Sequence, residues 1–234
     1  GLGDVYKRQV KGDALVFGSE PKALFAHPQI RPEADLDSFR EIFGVGPART
    51  PGCGVFRGLR EVKPGCVLEY SRERVKESPY WVLEAKPHTD SYAQTVETVS
   101  WLLRDAVQRQ LVSDVPVCSF LSGGIDSSVV TAIASRQLGQ EGVTLNTFSF
   151  DFAHNDACFQ SNAFQPTRDR PYVDQVLALY PLHHTYLECD EATLAGLLGD
   201  AVRMKDLPGM TDVDASLLYL SLIHISEPTR PLYI

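Results

Sequence analysis

Between Val115 and Leu138 the chain passes from an apolar run, through Ser122-Gly123-Gly124-Ile125-Asp126, into a second stretch with apolar spacing. A strand that turns through two glycines into a helix constrains the fold more than any other segment, because parallel sheets carry their ligand sites at such turns. The pattern predicts a strand over Val115–Leu121, a helix over Ser127–Leu138 and a strand over Leu145–Phe150. A helix near Tyr172–Tyr180, a strand near Thr185–Leu187 and a helix from Asp190 to Arg203 continue the alternation. Alternating β and α elements predict an α/β domain, with helices on the faces of a parallel sheet.

The loop itself suits an anion. Gly123 and Gly124 let the backbone approach phosphate oxygens, and successive N–H groups at a helix start can bind them. Ser122, Ser127 and Ser128 add hydroxyl donors. The G-x-x-x-x-G-K-[ST] pattern is missing, so no loop lysine grips the β- and γ-phosphates. A carboxylate beside phosphates calls for a cation between them, which makes Asp126 a Mg²⁺ ligand. The plainer alternative is a strand-to-helix turn in which Asp126 only caps the helix.

The preceding part reads differently. Ala14–Phe17 is apolar and closed by Gly18, Asp37 is placed to cap a short helix through Phe43, and Gly44–Gly58 reads as loop. Pro64-Gly65 is a turn pair before a strand at Cys66–Tyr70, and Val75–Leu83 is extended, a pattern of antiparallel sheet. The texture changes at 84–90. Asp90 is placed to cap a helix on which Tyr92, Val96, Val99, Leu103 and Ala106 recur at steps of three and four. Two domains are expected, at 10–83 and 91–219.

The ends read as foreign. Gly1–Gln9 and Leu220–Pro228 can be written on opposite strands of one DNA segment, and that segment resembles a transposon adapter used in preparing short-read libraries. Gly1–Gln9 and Leu220–Ile234 are therefore expected to be translated adapter, leaving Val10–Tyr219 open at both ends.

A formal charge of −8 without a basic run argues against holding nucleic acid by its phosphates. No apolar run is long enough to span a bilayer. Cys53, Cys66, Cys118, Cys158 and Cys189 are scattered and odd in number, which reads as reduced thiols in the cytoplasm. Cys118, in its apolar run, reads as a small core residue. His183 and His184, adjacent on a strand, point to opposite faces and suit packing rather than joint metal ligation. Arg168–Tyr172 reads as a solvated loop with an Asp–Arg pair, contact with a polyanion being the alternative.

Ser122-Gly123-Gly124-Ile125-Asp126-Ser127-Ser128 after Val115-Pro116-Val117-Cys118-Ser119-Phe120-Leu121 resembles the pyrophosphatase loop of N-type ATP pyrophosphatases. Leu111–Asp114 before it and Thr147-Phe148-Ser149-Phe150 after it resemble the asparagine synthetases. Phe17–Leu24 resembles that family's F-A-S-E-x-K-A-L, and Val62–Tyr70 with Tyr80-Trp81 resembles the closing strands of its glutaminase domain. The resemblance implies a pyrophosphatase-loop (adenine nucleotide alpha hydrolase-like) domain at 91–219. Before it come a linker at 84–90 and the antiparallel C-terminal part of an Ntn-type glutaminase domain at 10–83, both domains being incomplete.

It also implies an enzyme that activates aspartate as an acyl-adenylate with ATP and Mg²⁺, then admits ammonia taken from glutamine. By similarity Leu121, Ser122, Gly123, Gly124, Asp126, Ser127 and Ser128 bind ATP and pyrophosphate, and Phe150 falls beside the adenine. Thr211, Asp212 and Asp214 lie near the family's aspartate-binding surface. The family's N-terminal catalytic cysteine and its second Gly-rich acidic loop have no counterpart here, so this polypeptide alone is expected to be inactive. The whole enzyme is expected to pair as a homodimer. The stretch Ala153–Thr167 departs from the family's shorter form. Alternatives are another amidotransferase-type ligase, such as a β-lactam synthetase, and a non-catalytic nucleotide-binding relative.

Overall fold

The computed structural model describes residues 7–11, 14–46, 48–71, 73–163 and 166–219. The chain divides into two compact units, Gly1–Lys86 with Leu198–Asp214, and Pro87–Leu197 with Ala215–Ile234.

In the first unit β1 (Lys7–Lys11) lies between β2 (Ala14–Gly18) and β3 (Arg60–Glu61), antiparallel to both. Lys7–Gln9 of β1 fall in the stretch read as adapter, and they pair there through backbone groups. Strands β4 (Cys66–Tyr70) and β5 (Val75–Pro79) form an antiparallel hairpin in register Cys66↔Pro79. Helix α1 (Pro21–Phe25) opens with a proline, whose missing N–H costs nothing in a first turn. It buries Leu24 against Ile30 and Leu59, with Phe25 and Phe56 meeting edge to face at 4.9 Å. Each such buried side chain contributes about 1.5–3 kcal/mol.

Helix α2 (Leu36–Val45) is capped not by Asp37 but by Asp35. The Asp35 carboxylate accepts from Asp37 N at 3.1 Å and Ser38 N at 3.0 Å, while Ser38 Oγ accepts from Asp35 N at 3.0 Å. This reciprocal box satisfies donors at both of its ends, which Asp37 cannot do from inside the first turn.

The second unit is built on a parallel sheet of β6 (Cys118–Phe120), β7 (Leu145–Phe152) and β8 (Leu182–Cys189), in that order. Helix α3 (Tyr92–Gln110) precedes it, α4 (Ile125–Gln140) connects β6 to β7, and α5 (Asn155–Cys158) and α6 (Arg170–Leu179) connect β7 to β8. Helices α7 (Glu191–Lys205) and α8 (Thr211–Leu217) follow, each crossing the division between the units. The fold is mixed α/β, with a parallel sheet in one unit and antiparallel pairs in the other.

Several local expectations are corrected. Strand β6 is shorter than Val115–Leu121, because Pro116 has no N–H for a ladder and Val115 N donates to Ser113 Oγ in a turn. Ser91, not Asp90, caps α3, exchanging bonds with Gln94 in a second capping box. The predicted apolar face of α3 buries no residue, and Tyr92 is 86% exposed. Cys118 is exposed rather than part of the core, since β6 is an edge strand of the described sheet. Arg170 belongs to α6 and pairs with Glu188 of β8 at 3.0 Å, not with an adjacent Asp.

His183 and His184 do face opposite ways. His183 is exposed, while His184 is half-buried, with Nδ1 2.8 Å from Thr147 Oγ1 and its ring edge-to-face on Tyr186. Burial holds the His184 imidazole below its ordinary value. Among the described residues no group of three His, Cys, Asp or Glu is placed to hold a metal ion, and no helix is long and apolar enough to cross a membrane.

Candidate nucleotide site

Leu121 directly follows β6 and is fully buried, which anchors the loop behind it. Its N–H donates to Phe148 O at 2.9 Å, and Ser149 Oγ donates to its carbonyl. The chain then leaves the sheet through Ser122, Gly123 and Gly124, and α4 begins at Ile125.

Ser127 Oγ donates to Gly124 O at 3.1 Å and accepts from Ser122 N at 3.2 Å. A hydroxyl has one hydrogen, so in the Ser122–Ser127 contact at 3.0 Å Ser122 is the donor. Ser128 N donates to Gly124 O at 3.0 Å and closes the first helical turn. Gly124 is the N-cap and offers no side chain to the first-turn donors. The N–H groups that a Ser or Asp cap would satisfy thus stay available at the positive end of a helix of 16 residues.

Gly123 has φ +78°, and a Cβ there would stand 2.8 Å from Asp169 O and 2.9 Å from Tyr172 Cβ. Only glycine allows both this conformation and the close approach of α6. Asp126 is exposed in the first turn of α4, and no ion pair holds it among the described residues.

A cleft opens beside the loop at the carboxyl ends of the strands. It is lined by Leu121 and Ser122, by Ser149–Phe152 of β7, by Asp169 and Arg170, and by Tyr186 of β8. Phe150 meets Phe152 at 5.2 Å and Tyr219 at 6.2 Å, edge to face in both cases, giving an aromatic wall. Asp151 accepts from Phe152 N at 2.9 Å and Asn155 Nδ2 at 2.7 Å. Burial, and then the charge of Asp151, hold the Asp169 carboxyl above the usual range. The Arg170 guanidinium lies 4.2 Å from the Tyr186 ring centroid. Burial, and then the bond to Asp174 at 2.7 Å, push the Tyr186 phenol up.

The structure therefore brings Leu121, Ser122 and Phe150 to one cleft, with Gly123, Gly124, Asp126, Ser127 and Ser128 in the loop and helix turn beside it. Thr211, Asp212 and Asp214 belong to the other compact unit. The side chains of Thr211 and Asp212 lie outside the described residues, and that of Asp214 is buried in an ion pair with Lys205. Asp151 and Tyr186 are cleft residues that the sequence reading did not single out, whereas Asp169 and Arg170, read there as part of a solvated loop, also line the cleft. Asp151 follows Phe150 at the end of the central strand, where a parallel sheet exposes side chains to ligands, and that position was the available signal.

A family model described as Asparagine synthase matches residues 98–227, and one described as Glutamine amidotransferase domain matches residues 1–81. The chain belongs to the asparagine synthase family. Asparagine synthases use ATP. Asparagine synthetase [glutamine-hydrolyzing] 3 of Bacillus subtilis is 47% identical over 210 residues, covering 89% of this chain and 34% of that protein. Amidase chyE of Penicillium rubens is 29% identical over 215 residues, 89% of this chain and 31% of its own length. A putative asparagine synthetase [glutamine-hydrolyzing] 2 of Methanocaldococcus jannaschii is 30% identical over 146 residues, 60% of this chain and 28% of that protein. This asparagine synthase chain thus spans about a third of the length of the curated relatives it matches.

Proposed function

We propose that the protein carrying this chain is a glutamine-dependent asparagine synthetase, in which residues 91–219 begin the ATP-consuming domain and residues 10–83 close the glutaminase domain. Residues 84–90 link the two, and Gly1–Gln9 and Leu220–Ile234 are foreign to both. The observation that carries this reading is the uncapped start of α4 behind Gly123 and Gly124, at the carboxyl edge of a parallel sheet. First-turn N–H groups and the Ser128 hydroxyl bind the phosphates of ATP and then the pyrophosphate that leaves, joined by the Ser122 and Ser127 hydroxyls once these turn from their bonds within the loop. Leu121 and Phe150 form the apolar wall beside the base.

Asp126 fits Mg²⁺ as one hard carboxylate next to phosphate oxygens. That is how this ion is bound when it arrives with a nucleotide rather than in an all-protein cage. When bound there, it offsets charge on the departing pyrophosphate. The acceptor is the aspartate side-chain carboxylate, activated as an acyl-adenylate, and the nucleophile is ammonia released from glutamine. Thr211, Asp212 and Asp214 are assigned to the neighbourhood of the bound aspartate. The substrates are small molecules, and the enzyme acts in the cytoplasm as a homodimer. Five free cysteines support the compartment, and the family resemblance supports the pairing.

Aspartate-dependent exchange of labelled pyrophosphate into ATP tests this, using the protein that carries the chain. Exchange that vanishes in Asp126→Ala is the expected result, and its absence from the unsubstituted protein sinks the reading. The likeness to amidase chyE over 89% of the chain favours one second reading, a ligase of the same chemistry with another carboxylic acid as acceptor. Exchange stimulated by other acids but not by aspartate would select it.

A further inference from the structure

Lys22 stands at the second position of α1, where a backbone N–H has no partner within the helix. That N–H donates to Asp206 Oδ2 at 2.9 Å across 184 residues of chain. The Lys22 ammonium is 3.6 Å from Asp206 Oδ1, pairs with Glu20 at 2.6 Å and donates to the Met204 carbonyl in the last turn of α7. The Asp206 side chain is only 10% exposed. Its backbone has φ +63°, a left-handed conformation that a non-glycine residue keeps only where its surroundings fix it.

From this point the contacts continue along the segment. Lys205 pairs with buried Asp214, Asp214 N donates to Met210 O at 2.8 Å, and a Cβ on Gly209 would collide with the Asp214 carboxylate. All of these residues lie in the first compact unit. Lys22 falls in the stretch matching the glutamine amidotransferase domain, whereas Met204–Asp214 fall in the stretch matching asparagine synthase.

We propose that the Lys22–Asp206 clasp is a coupling element that ties the glutaminase side of the enzyme to the segment carrying Asp214. Lys22 and Asp206 are positioning residues: they hold the segment that carries Lys205 and Asp214 and touch no substrate themselves. The clasp lets ammonia release and acceptor activation report on each other through one short, fixed segment. This inference rests on the functional reading above, in which the two matched stretches supply the two half-reactions.

The experiment compares Lys22→Met, Lys22→Arg and Asp206→Gly in the protein that carries the chain. Asp206→Gly removes the carboxylate yet suits the left-handed backbone, so the turn survives. Two quantities are read: glutamine hydrolysed per AMP released, and AMP release driven by ammonia without glutamine. In Lys22→Met and Asp206→Gly the ratio rises roughly three- to tenfold, while ammonia-driven release is unchanged. Lys22→Arg keeps the ratio near that of the unsubstituted protein. A ratio unmoved in both disruptive variants overturns the inference, and so does a parallel loss of ammonia-driven release, which marks a merely structural contact. If the unsubstituted protein releases no AMP with ammonia, the functional reading fails instead, and the two failures are told apart by that control.

Discussion

The loop at Leu121–Ser128 and the segment at Asp206–Asp214 are both turn-rich and polar, and they are held in opposite ways. The loop is tied mainly to itself. Ser127 to Gly124, Ser128 to Gly124 and Ser122 to Ser127 are bonds spanning three to five residues. At the other segment the first contact is with Lys22, 184 residues away, and Asp206 there holds a left-handed backbone. Locally closed structure forms wherever its few residues occur together. A turn held by a distant partner exists only once the rest of the unit has assembled.

The largest effect that would sharpen the contrast is at the base of the loop. Leu121→Ala leaves a cavity under a fully buried side chain and should cost about 3 kcal/mol in urea unfolding of the protein that carries the chain. Gly123→Ala comes next. It sets a Cβ against the Asp169 carbonyl at φ +78° and should cost about 2 kcal/mol, with loss of pyrophosphate exchange. A Gly123→Ala protein with full exchange would show that α6 yields, and that the loop is less self-contained than its bonds imply.

This contrast also explains what was legible in the sequence. The loop, its flanking strand and helix, and the alternation of β6, β7 and β8 with helices follow from hydrophobic spacing and from glycine chemistry, both of which act over a few residues. Cap positions were misplaced by one or two residues, at Asp37 for Asp35 and Asp90 for Ser91. In each case the deciding feature is a reciprocal partner three residues on, Ser38 or Gln94, rather than the type of the cap itself. Cys118 and the apolar side of α3 were read as core from spacing alone. Burial also needs a covering element, which spacing does not contain. The contact from Lys22 to Asp206 was illegible for the same reason, since neither residue carries a local mark of the other.

A third prediction separates conformation from contact at that distant turn. Asp206→Ala loses the carboxylate and keeps a β-carbon in the left-handed region, whereas Asp206→Gly loses the carboxylate alone. Asp206→Gly should therefore be the more stable of the two by about 1 kcal/mol in thermal or urea unfolding. Equal stabilities would mean that the turn relaxes when the clasp is gone, and that the distant partner alone had imposed its shape.

The smallest effect concerns one of the loop's non-local neighbours. Asp169 lends its carbonyl to the wall facing Gly123, while burial and then Asp151 hold its carboxyl above the usual range. A carboxyl raised on folding releases its proton less readily in the folded state than in the unfolded one. Below the ordinary carboxylate range both states are protonated and no penalty exists. As pH rises from there through the raised value, stability is lost, and above it the penalty is constant. Asp169→Asn should accordingly stabilise the protein at neutral pH, by less than about 1 kcal/mol because the group is open to solvent screening. The gain should disappear when unfolding is repeated below about pH 4. A gain that persists in acid would trace to packing rather than charge. The wall against Gly123 would then depend on the shape of residue 169 and not on its ionisation, so that this part of the loop's long-range support is steric.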